Sequence, residues 1–449
     1  MVWAGTLPNR PFDTHKKSLH ETSRVLSRGL SDHDFIRSRG GREARTRCRT
    51  ALLATGTPGL QLSSMIHRPL LLPFALRRPV LLLRDLLVDR RRPDLERLAM
   101  IQEPERFVWE ILPHAARTFS ACIILLPSGM ALPSAVAYLY CRILDSYEDL
   151  LQDAGDRDKA LASFVERLEA ADSDALPGPA SAIDPALARD ARDSGHVLLV
   201  NRCSLVDRVF ITLDAEVRRF IVDLVREMSQ GMRWWSETFE RQGGCLSDAR
   251  QLSRYCYAVM GTPILFCVRL LLLSKHGDER VGEELGRDAV AVGEFLQLAN
   301  VTRDIDKDLQ REIGYHPLLH DALGKDASSD LEVAAKGQAV RGLLLDRALS
   351  LAPAYQRMVD GLRLRKMSLT RASAVLMLLF TERYYRTCAR RTGRAVPGRD
   401  KSGLSLLLRS LSTIWSPQAG KRVLQATERD LQLLLQSSAT APTSYSQLI

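Results

Sequence analysis

Apolar residues recur every three to four positions along most of the chain from about residue 100 onward, which is the periodicity of helices with one buried face. Several of these runs exceed 20 residues and are therefore too long for β-strands. No run alternates apolar and polar residues between turn signals, as a half-buried strand would. The pattern therefore predicts one all-α domain over residues 100–392. Its periodic runs are 134–151, 205–240, 247–273, 281–311, 331–360 and 368–391.

The segments on either side of this domain differ from it in composition. Residues 1–64 are rich in Arg, Ser, Thr, Gly and Pro with little periodicity, which predicts a disordered basic extension. Residues 65–99 mix leucines with arginines, which predicts a short amphipathic helix packed on the domain, with a membrane-surface helix as the alternative. Residues 393–449 are expected to form a linker up to residue 420 and one further helix over 421–436.

The basic charge of the chain is concentrated in its first hundred residues. The whole chain has 63 Lys+Arg against 53 Asp+Glu, a formal net charge of +10. Residues 1–100 hold 19 basic and 9 acidic side chains, whereas the other 349 residues hold 44 of each. We therefore expect no nucleic-acid partner for the domain, because it lacks a basic excess and because aromatic residues, at 6%, are scarce for base stacking.

Cysteine usage and hydropathy bear on the compartment. The eight cysteines are dispersed singly, with no Cys-x-x-Cys and no zinc-type spacing, which favours a reducing compartment. No uninterrupted apolar run reaches the length of about 20 residues that a membrane span needs, and no secretory signal is recognisable. A transit peptide stays open because the first residues are basic and Ser-rich. We expect a cytoplasmic protein, with peripheral membrane contact as an option and the oligomeric state undetermined.

A first cluster of carboxylates ends a strongly apolar run. Asp145, Glu148 and Asp149 are spaced i, i+3 and i+4, so they share one helix face. Burying like charges together is unfavourable without compensation, and Arg142, one turn earlier, offsets only part of the charge. Three carboxylates on one face suit Mg²⁺, which prefers oxygen ligands. A solvated helix face with ordinary ion pairs is the alternative.

A second polar stripe follows about 150 residues later. Asn300, Asp304 and Asp308 are spaced i, i+4 and i+8 and form one stripe of a helix, which Gln297 precedes by nearly one turn. Asp306 points about 200° away from Asp304 around the helix axis and is expected to be a solvated residue. The same alternative, a solvated face, applies to this stripe taken alone.

Two acidic stripes inside the most apolar helices favour a metal-dependent site over two solvated faces. Facing acidic helices in a bundle can hold several divalent ions, and those ions can hold a diphosphate. Heterolysis of an allylic diphosphate needs such neutralisation of its leaving group, and a dry, aromatic-lined cavity for the carbocation left behind. The aromatic candidates for that cavity are Phe119, Tyr138, Tyr147, Tyr255, Tyr257, Phe266 and Phe295.

These motifs and their order resemble the squalene/phytoene synthase family, whose members join two prenyl diphosphates head to head. The resemblance covers about residues 107–392, nearly the whole predicted domain. The two acidic stripes resemble the two aspartate-rich motifs of the family, with Tyr138 and Arg142 upstream of the first. The other matching segments are Arg117-Thr-Phe119-Ser, Met228-x-x-Gly231-Met232, Tyr255-Cys-Tyr-x-Val259-x-Gly261 and Tyr315-His-Pro317.

The resemblance implies a fold, a reaction and cofactors. The fold is the all-α isoprenoid-synthase helical bundle with a central cavity. The substrates are two allylic prenyl diphosphates, with conversion of farnesyl diphosphate to presqualene diphosphate and squalene favoured, and phytoene or dehydrosqualene synthesis as the alternative. Mg²⁺ is the implied cofactor, and NADPH is added if the product is squalene. No Gly-x-Gly-x-x-Gly motif follows a strand, so a separate nucleotide-binding domain is not predicted.

The same resemblance implies a role for each site residue. It implies catalytic roles for Tyr255 and Arg142. The implied substrate-binding residues are Arg117, Phe119, Tyr138, Gln297, Arg303 and Tyr315. The implied metal ligands are Asp145, Glu148, Asp149, Asn300, Asp304 and Asp308.

Two other functions and one structural role stay as alternatives. A non-catalytic scaffold relative would be expected to lose the carboxylates, all of which are present here. A cyclising terpene synthase would want an Asn/Ser/Glu metal triad, which Asn300, Asp304 and Asp308 do not supply. Tyr255 could instead be a core residue whose hydroxyl binds a backbone carbonyl. Its proposed part in the first half-reaction depends mainly on the resemblance.

Overall fold

The computed structural model of the protein describes residues 72–171, 175–276, 280–396, 398 and 400–437. Within those ranges the regular elements are all helical, and the one strand-like pairing is an isolated bridge between Cys245 and Gly314. The all-α prediction is therefore confirmed. The predicted basic extension, residues 1–64, lies outside the described residues. The cysteines of the described part of the chain are free thiols.

Helices in the first half of the described chain begin at polar capping residues. Asp94, Glu103, Asp153 and Asp190 each accept hydrogen bonds from backbone N–H groups in the first turn of a helix, which satisfies donors that have no partner within the helix. In chain order the helices are α1 (Phe74–Leu87), α2 (Leu95–Ala99), α3 (Pro104–Ala116), α4 (Phe119–Leu125), α5 (Ser128–Leu150), α6 (Ala154–Glu169), α7 (Ala191–Asn201) and α8 (Cys203–Phe210).

Longer helices make up most of the second half, and several begin in the same way. Asp248, Asp330, Ser368 and Ser416 are their capping residues. In chain order the helices are α9 (Ala215–Arg241), α10 (Ala249–Cys256), α11 (Thr262–His276), α12 (Glu283–Leu309), α13 (Leu331–Gly361), α14 (Leu369–Arg391), α15 (Gly403–Leu411) and α16 (Pro417–Gln436). Short 3₁₀ turns occur at Pro185–Leu187 and Pro317–Ala322.

One predicted run, 205–240, is wrong as a single helix. A turn at residues 211–214 divides it into α8 and α9, and the Arg218 guanidinium donates to the backbone oxygens of Ile211 at 2.7 Å and Leu213 at 3.0 Å there. The apolar period continues through the turn because both helices bury residues in the same core. Periodicity alone therefore could not locate this break.

The predicted linker over residues 393–420 is also wrong in part. It contains α15, which Ser402 caps and which buries Leu406 and Leu407, and α16 begins at Pro417 instead of residue 421. The Gly, Ser and Pro residues on either side of this short leucine run obscured its helical period. Both helices pack on α14, so the C-terminal region belongs to the bundle.

Two helical segments come into close backbone contact beside Val259 and Met260, which line the cavity. A π-helical segment, Tyr257–Gly261, joins α10 to α11, and α12 crosses it at Gly293. A Cβ atom on Gly293 would lie 2.5 Å from the Cα of Gly261, so the crossing requires glycine. Wide π-type turns of this kind occur often at functional sites.

One described stretch, Ala249–Lys275, is long and apolar enough to cross a membrane by length and composition. The sequence did not predict it as a span because Arg269 interrupts its apolar run. Half of its most apolar window is buried inside the protein, and core helices of soluble proteins meet the same criterion. A single stretch of this kind is weak evidence for a membrane span.

Candidate active site

A cavity of about 390 Å³ lies among the long helices, and the fourteen residues predicted for catalysis, substrate binding and metal binding all line it. Helices α5 and α12 contribute its two polar stripes from opposite sides. Much of the remaining wall is apolar, so the cavity has a charged end and an apolar end. Apolar residues on the wall include Ile123, Met228, Phe266, Leu271, Met358 and Leu362.

The first stripe holds more negative charge than its neighbours neutralise. Asp145 pairs with Arg142 at 3.1 Å, and the same guanidinium lies 3.3 Å from the Tyr138 hydroxyl. Burial nevertheless raises the pKa of Asp145 to about 6. Burial, followed by the charges of Asp149 and Asp145, raises the pKa of Glu148 to about 8. Arg142 therefore offsets only part of the charge, as the sequence predicts.

The second stripe is arranged in the same manner along α12. Asn300 donates to the Gln297 side-chain oxygen at 3.2 Å, and Arg303 makes a two-pronged contact with Asp304 at 2.9 and 2.6 Å. Burial, followed by the charge of Asp304, raises the pKa of Asp308 to about 7. Asp308 is thus a third carboxyl group, after Asp145 and Glu148, that the protein leaves short of positive charge.

An arginine connects the two stripes directly. Arg311, just beyond the end of α12, donates to Asp149 at the end of α5 at 2.7 Å. The charge of Asp149 in turn contributes to the raised pKa of Asp308. The two stripes therefore form one charged end of the cavity. Arg311 was not among the predicted site residues, because its partner is 162 positions away in the chain.

Tyr255 lies between the two stripes in an aromatic cluster. Its ring centroid is 5.4 Å from that of Tyr315, and Trp235 and Phe239 each lie 6.0 Å from it. Burial, followed by the charge of Glu148, raises its pKa well above the ordinary tyrosine value, against a hydrogen bond with Tyr315. The phenol therefore stays protonated while it faces the carboxylates.

Three of the seven predicted aromatic wall residues are wrong, because they do not line the cavity. The Tyr147 hydroxyl donates to the backbone oxygen of Ser181 at 2.7 Å, and the Tyr257 hydroxyl donates to Glu227 at 2.5 Å. Phe295 packs against core tyrosines instead. Helical spacing placed these rings on apolar helices but could not say which face meets the cavity. Phe119, Tyr138, Tyr255 and Phe266 do line it.

Several wall residues were not predicted at all. Tyr355 and Tyr384 belong to α13 and α14, and the Arg303 guanidinium lies 5.5 Å from the Tyr384 ring centroid. Arg189 and Arg192 bring two more cations to the wall from the start of α7. Nothing in their local sequence marks them, since each belongs to an ordinary helical or turn segment. With the predicted arginines they make the charged end suitable for a polyanion.

Asp306 behaves differently from its neighbours in α12. It does not line the cavity, and its half-exposed carboxylate pairs with the buried guanidinium of Arg341 at 2.8 Å. Its exclusion from the predicted ligand set therefore agrees with the geometry. The carboxylate is paired, however, and not merely solvated.

The donor chemistry of the charged end fits a hard divalent cation. Its side chains offer carboxylate and amide oxygens, the ligand type that Mg²⁺ prefers. Among the described residues, no three His, Cys, Asp or Glu side chains already converge as a metal cluster. Arg311 and Arg303 occupy Asp149 and Asp304 instead. Added cations would displace the protons that Glu148 and Asp308 retain because of their raised pKa values, and would neutralise the carboxylates so formed together with Asp145.

The family model for squalene/phytoene synthase matches residues 112–407, which is most of the chain. The chain belongs to the squalene/phytoene synthase family. The matched range contains both acidic stripes and the aromatic cluster around Tyr255.

Curated family members from several organisms align with part of the chain. Botryococcus squalene synthase from Botryococcus braunii is 27% identical over 207 residues, covering 46% of this chain and 40% of that protein. Squalene synthase of Schizosaccharomyces pombe is 24% identical over 47% of this chain and 44% of that protein. The 15-cis-phytoene synthase of Synechocystis is 23% identical over 54% of this chain and 63% of that protein. The matches thus span about half of these relatives' lengths.

Solved structures support the same fold. The complex of TcSQS with the ligand BPH1237 covers 75% of this chain and 98% of its own, with a TM-score of 0.54 and 17% sequence identity. The complex of TcSQS with E5700 gives the same TM-score at 18% identity. Squalene synthase structures of this kind have the all-α isoprenoid-synthase fold, which is thereby shown for this chain.

Proposed function

We propose that the protein is a prenyltransferase that joins two allylic prenyl diphosphates head to head, with farnesyl diphosphate converted to presqualene diphosphate and squalene. One observation carries the proposal: two carboxylate stripes, still short of positive charge, face each other across the charged end of an otherwise apolar cavity. A substrate with a diphosphate head and a hydrocarbon tail matches both ends of that cavity. Membership of the family supports the same reaction.

The charged end would bind the diphosphate and its ions. Asp145, Glu148, Asp149, Asn300, Asp304 and Asp308 would hold Mg²⁺, which supplies neutralisation of the leaving diphosphate as its C–O bond breaks. Arg142 and Arg303 are positioned beside these carboxylates and would bind diphosphate oxygens once the cations relieve their present ion pairs. Arg117, Gln297 and Tyr315 line the same cavity and would orient the head group.

The apolar end would protect the carbocation. Phe119, Tyr138 and Phe266 line the cavity, and their rings would face the cation and help to keep water from the reacting carbon. The double bond of the second substrate attacks C1 of the first, and loss of a proton closes a cyclopropane ring. The second diphosphate then leaves, and reduction by NADPH gives squalene, whereas loss of a proton would give dehydrosqualene or phytoene.

Tyr255 would assist the loss of the proton that closes the cyclopropane ring. Its hydroxyl faces the cavity and shares a hydrogen bond with Tyr315, which in turn hydrogen-bonds to Asp308. A proton accepted at the Tyr255 oxygen could leave along this chain as its own proton moves towards Tyr315. The tyrosine then need not ionise, which its raised pKa would oppose.

The test is to incubate the purified full chain with Mg²⁺ and either farnesyl or geranylgeranyl diphosphate, with and without NADPH, and to identify products by mass spectrometry. We expect presqualene diphosphate without NADPH and squalene with it. Phytoene from geranylgeranyl diphosphate would reassign the substrate and product within the same reaction class. A lack of turnover with every substrate would overturn the proposal in favour of a non-catalytic scaffold.

A further inference from the structure

Helix α1 has apolar residues on two sides and buries only one of them: Leu81 and Leu82 pack in the core, whereas a second row of leucines faces outward. Leu76, Leu83 and Leu87 are spaced i, i+7 and i+11, so they share one face. Leu76 is 62% exposed and Leu87 is 77% exposed, and Leu72, one turn earlier, is also exposed. Helices on the surface of globular proteins usually bury such a row and expose their charges. The outer face of α1 is therefore unusually apolar for a surface helix.

The charged residues of α1 all point towards the body and have partners there. Arg78 donates to the backbone oxygens of Ile124 at 3.0 Å and Leu126 at 2.9 Å. Arg84 pairs with Glu110 at 2.6 Å, and Arg77 pairs with Glu105 at 2.6 Å.

The remaining charged residue of α1, Asp85, is fully buried. It pairs with Arg90 at 2.6 Å and accepts a hydrogen bond from Ser120 in α4. Rotating the helix to bury its leucines would break these polar contacts and leave buried charges unpaired, at a cost of several kcal/mol. The leucine row is thus held outward by the polar contacts on the opposite face.

A second set of exposed residues lies at the start of α14, which packs on α4, the helix that α1 covers. Met367 is 68% exposed and Trp415 is 63% exposed, and basic residues Arg365 and Lys366 precede the methionine. The Arg371 guanidinium joins these loops by donating to backbone oxygens of residues 365, 366, 413 and 414. Two residues later in the same helix, α14, the Ser373 hydroxyl donates to the backbone oxygen of residue 122 in α4 at 2.8 Å.

Charge indicates what covers these surfaces. Residues 1–100 hold the whole net positive charge of the chain, and the described residues 72–100 among them hold 7 basic and 4 acidic side chains. Exposed Arg91 and Arg92 lie four and five residues after the end of α1. Leucines flanked by arginines, together with an exposed tryptophan, match an anionic lipid surface, where apolar side chains enter the acyl region and basic ones meet the head groups.

We propose that α1 docks the protein on an anionic lipid bilayer, with Leu76, Leu83 and Leu87 inserted. This docking stands independently of the proposed reaction. It has a consequence for that reaction, because α4 lies between α1 and the apolar cavity wall, to which it contributes Ile123. A membrane at α1 would lie next to the end of the cavity that suits a hydrocarbon.

Vesicle flotation of the purified full chain tests the docking. The vesicles are phosphatidylcholine alone or phosphatidylcholine with 30% phosphatidylglycerol. We expect binding to the anionic vesicles that weakens in high salt, and at least about a 10-fold loss for the triple variant Leu76→Ser/Leu83→Ser/Leu87→Ser. The matched control, Leu331→Ser/Leu343→Ser/Leu433→Ser, removes three other exposed leucines and should bind like the native chain.

Circular dichroism and melting temperature should be unchanged in both triple variants, since the replaced side chains are exposed. Equal vesicle binding by the α1 variant and the native chain would overturn the proposal, as would an absence of binding by the native chain. A native dimer that becomes monomeric in the α1 variant, with vesicle binding unchanged, would assign the leucine row to a second copy. Vesicle binding that appears only after deletion of residues 1–71 would instead show that the chain's own N-terminal segment covers the leucine row.

Discussion

Helix α5 carries buried polar groups on two faces, and the two faces treat charge differently. On one face, Tyr140 donates to Asp207 at 2.7 Å, and Arg167 pairs with the same carboxylate at 3.0 Å. On the other face, Asp145 and Glu148 meet the cavity; Asp145 pairs with Arg142, whereas Arg157 and Arg311 lower the pKa of Glu148 by less than burial and its acidic neighbours raise it. Burial raises the pKa of these two carboxyl groups to about 6 and about 8.

The comparison distinguishes a buried charge that stabilises the fold from buried carboxyl groups that are available to bind a ligand. The Asp207 carboxylate has a cation and a phenol as partners, so its burial is compensated within the protein. The cavity carboxylates are compensated only in part, and such groups are typical of functional sites. Removing a charge should therefore weaken the fold on the first face and abolish function on the second.

The largest expected effect is on turnover. Asp304→Asn keeps the shape of the side chain but removes its charge, so the second stripe loses a metal ligand. We expect turnover to fall by about 10³-fold or more, with unchanged helical circular dichroism, and the same for Asp145→Asn. Glu284→Gln, an exposed change in the same helix as Asp304 and away from the cavity, is the control. Near-native turnover in either aspartate variant would remove the two-stripe site.

The next effect should be on stability. Arg167→Met leaves the buried Asp207 carboxylate without its cation, which should lower the free energy of unfolding by about 3–5 kcal/mol. Denaturant unfolding measures the loss, and the second change Asp207→Asn should restore part of it. Activity per folded molecule should stay near native. A loss below about 1 kcal/mol, the size of an exposed ion pair, would contradict a structural role.

Tyr255→Phe should slow the first half-reaction, by less than the aspartate variants slow turnover. The change keeps the ring and its packing but removes the hydroxyl, so formation of the cyclopropyl intermediate should slow by about 10²-fold. Diphosphate binding should change little, because other residues hold that end. Tyr257→Phe is the matched control, since its hydroxyl binds Glu227 and does not face the cavity. Native rates in Tyr255→Phe would make this tyrosine structural.

Glu148→Gln should give the smallest effect on stability, with a sign opposite to that of Arg167→Met. The folded protein holds the pKa of Glu148 at about 8, above its ordinary value of 4.5. As pH rises from 4.5 to 8, the unfolded chain therefore loses this proton more readily than the folded chain, and the native protein loses stability.

The glutamine variant has no carboxyl group at this position, so it does not lose stability in this way as the pH rises. In metal-free buffer we expect its melting temperature to exceed the native value by about 2 °C above pH 8, with the gain vanishing towards pH 4.5. Added Mg²⁺ should stabilise the native protein more than the variant, because the variant has lost a ligand. Differential scanning fluorimetry across pH measures both. A variant that melts below the native protein at pH 9 would show that Glu148 is already compensated.

The sequence was sufficient for the residue sets that lie within one helix. Spacing at i, i+3 and i+4 places Asp145, Glu148 and Asp149 on one face whatever surrounds the helix, because the α-helical turn alone decides it. The same reasoning placed Asn300, Asp304 and Asp308 on one face of a helix and Asp306 on another. Long apolar periods likewise determined the all-α class.

Contacts between distant segments could be decided only by the tertiary structure. Arg311 reaches Asp149 and Arg192 joins the cavity wall because of how α5, α7 and α12 are placed, and no local pattern encodes that placement. The outward leucines of α1 are a further case. Their spacing predicts an amphipathic helix, but which of its leucines and arginines face the body depends on buried partners such as Glu110 and Ser120. A helical period specifies which residues share a face, and only packing specifies what that face meets.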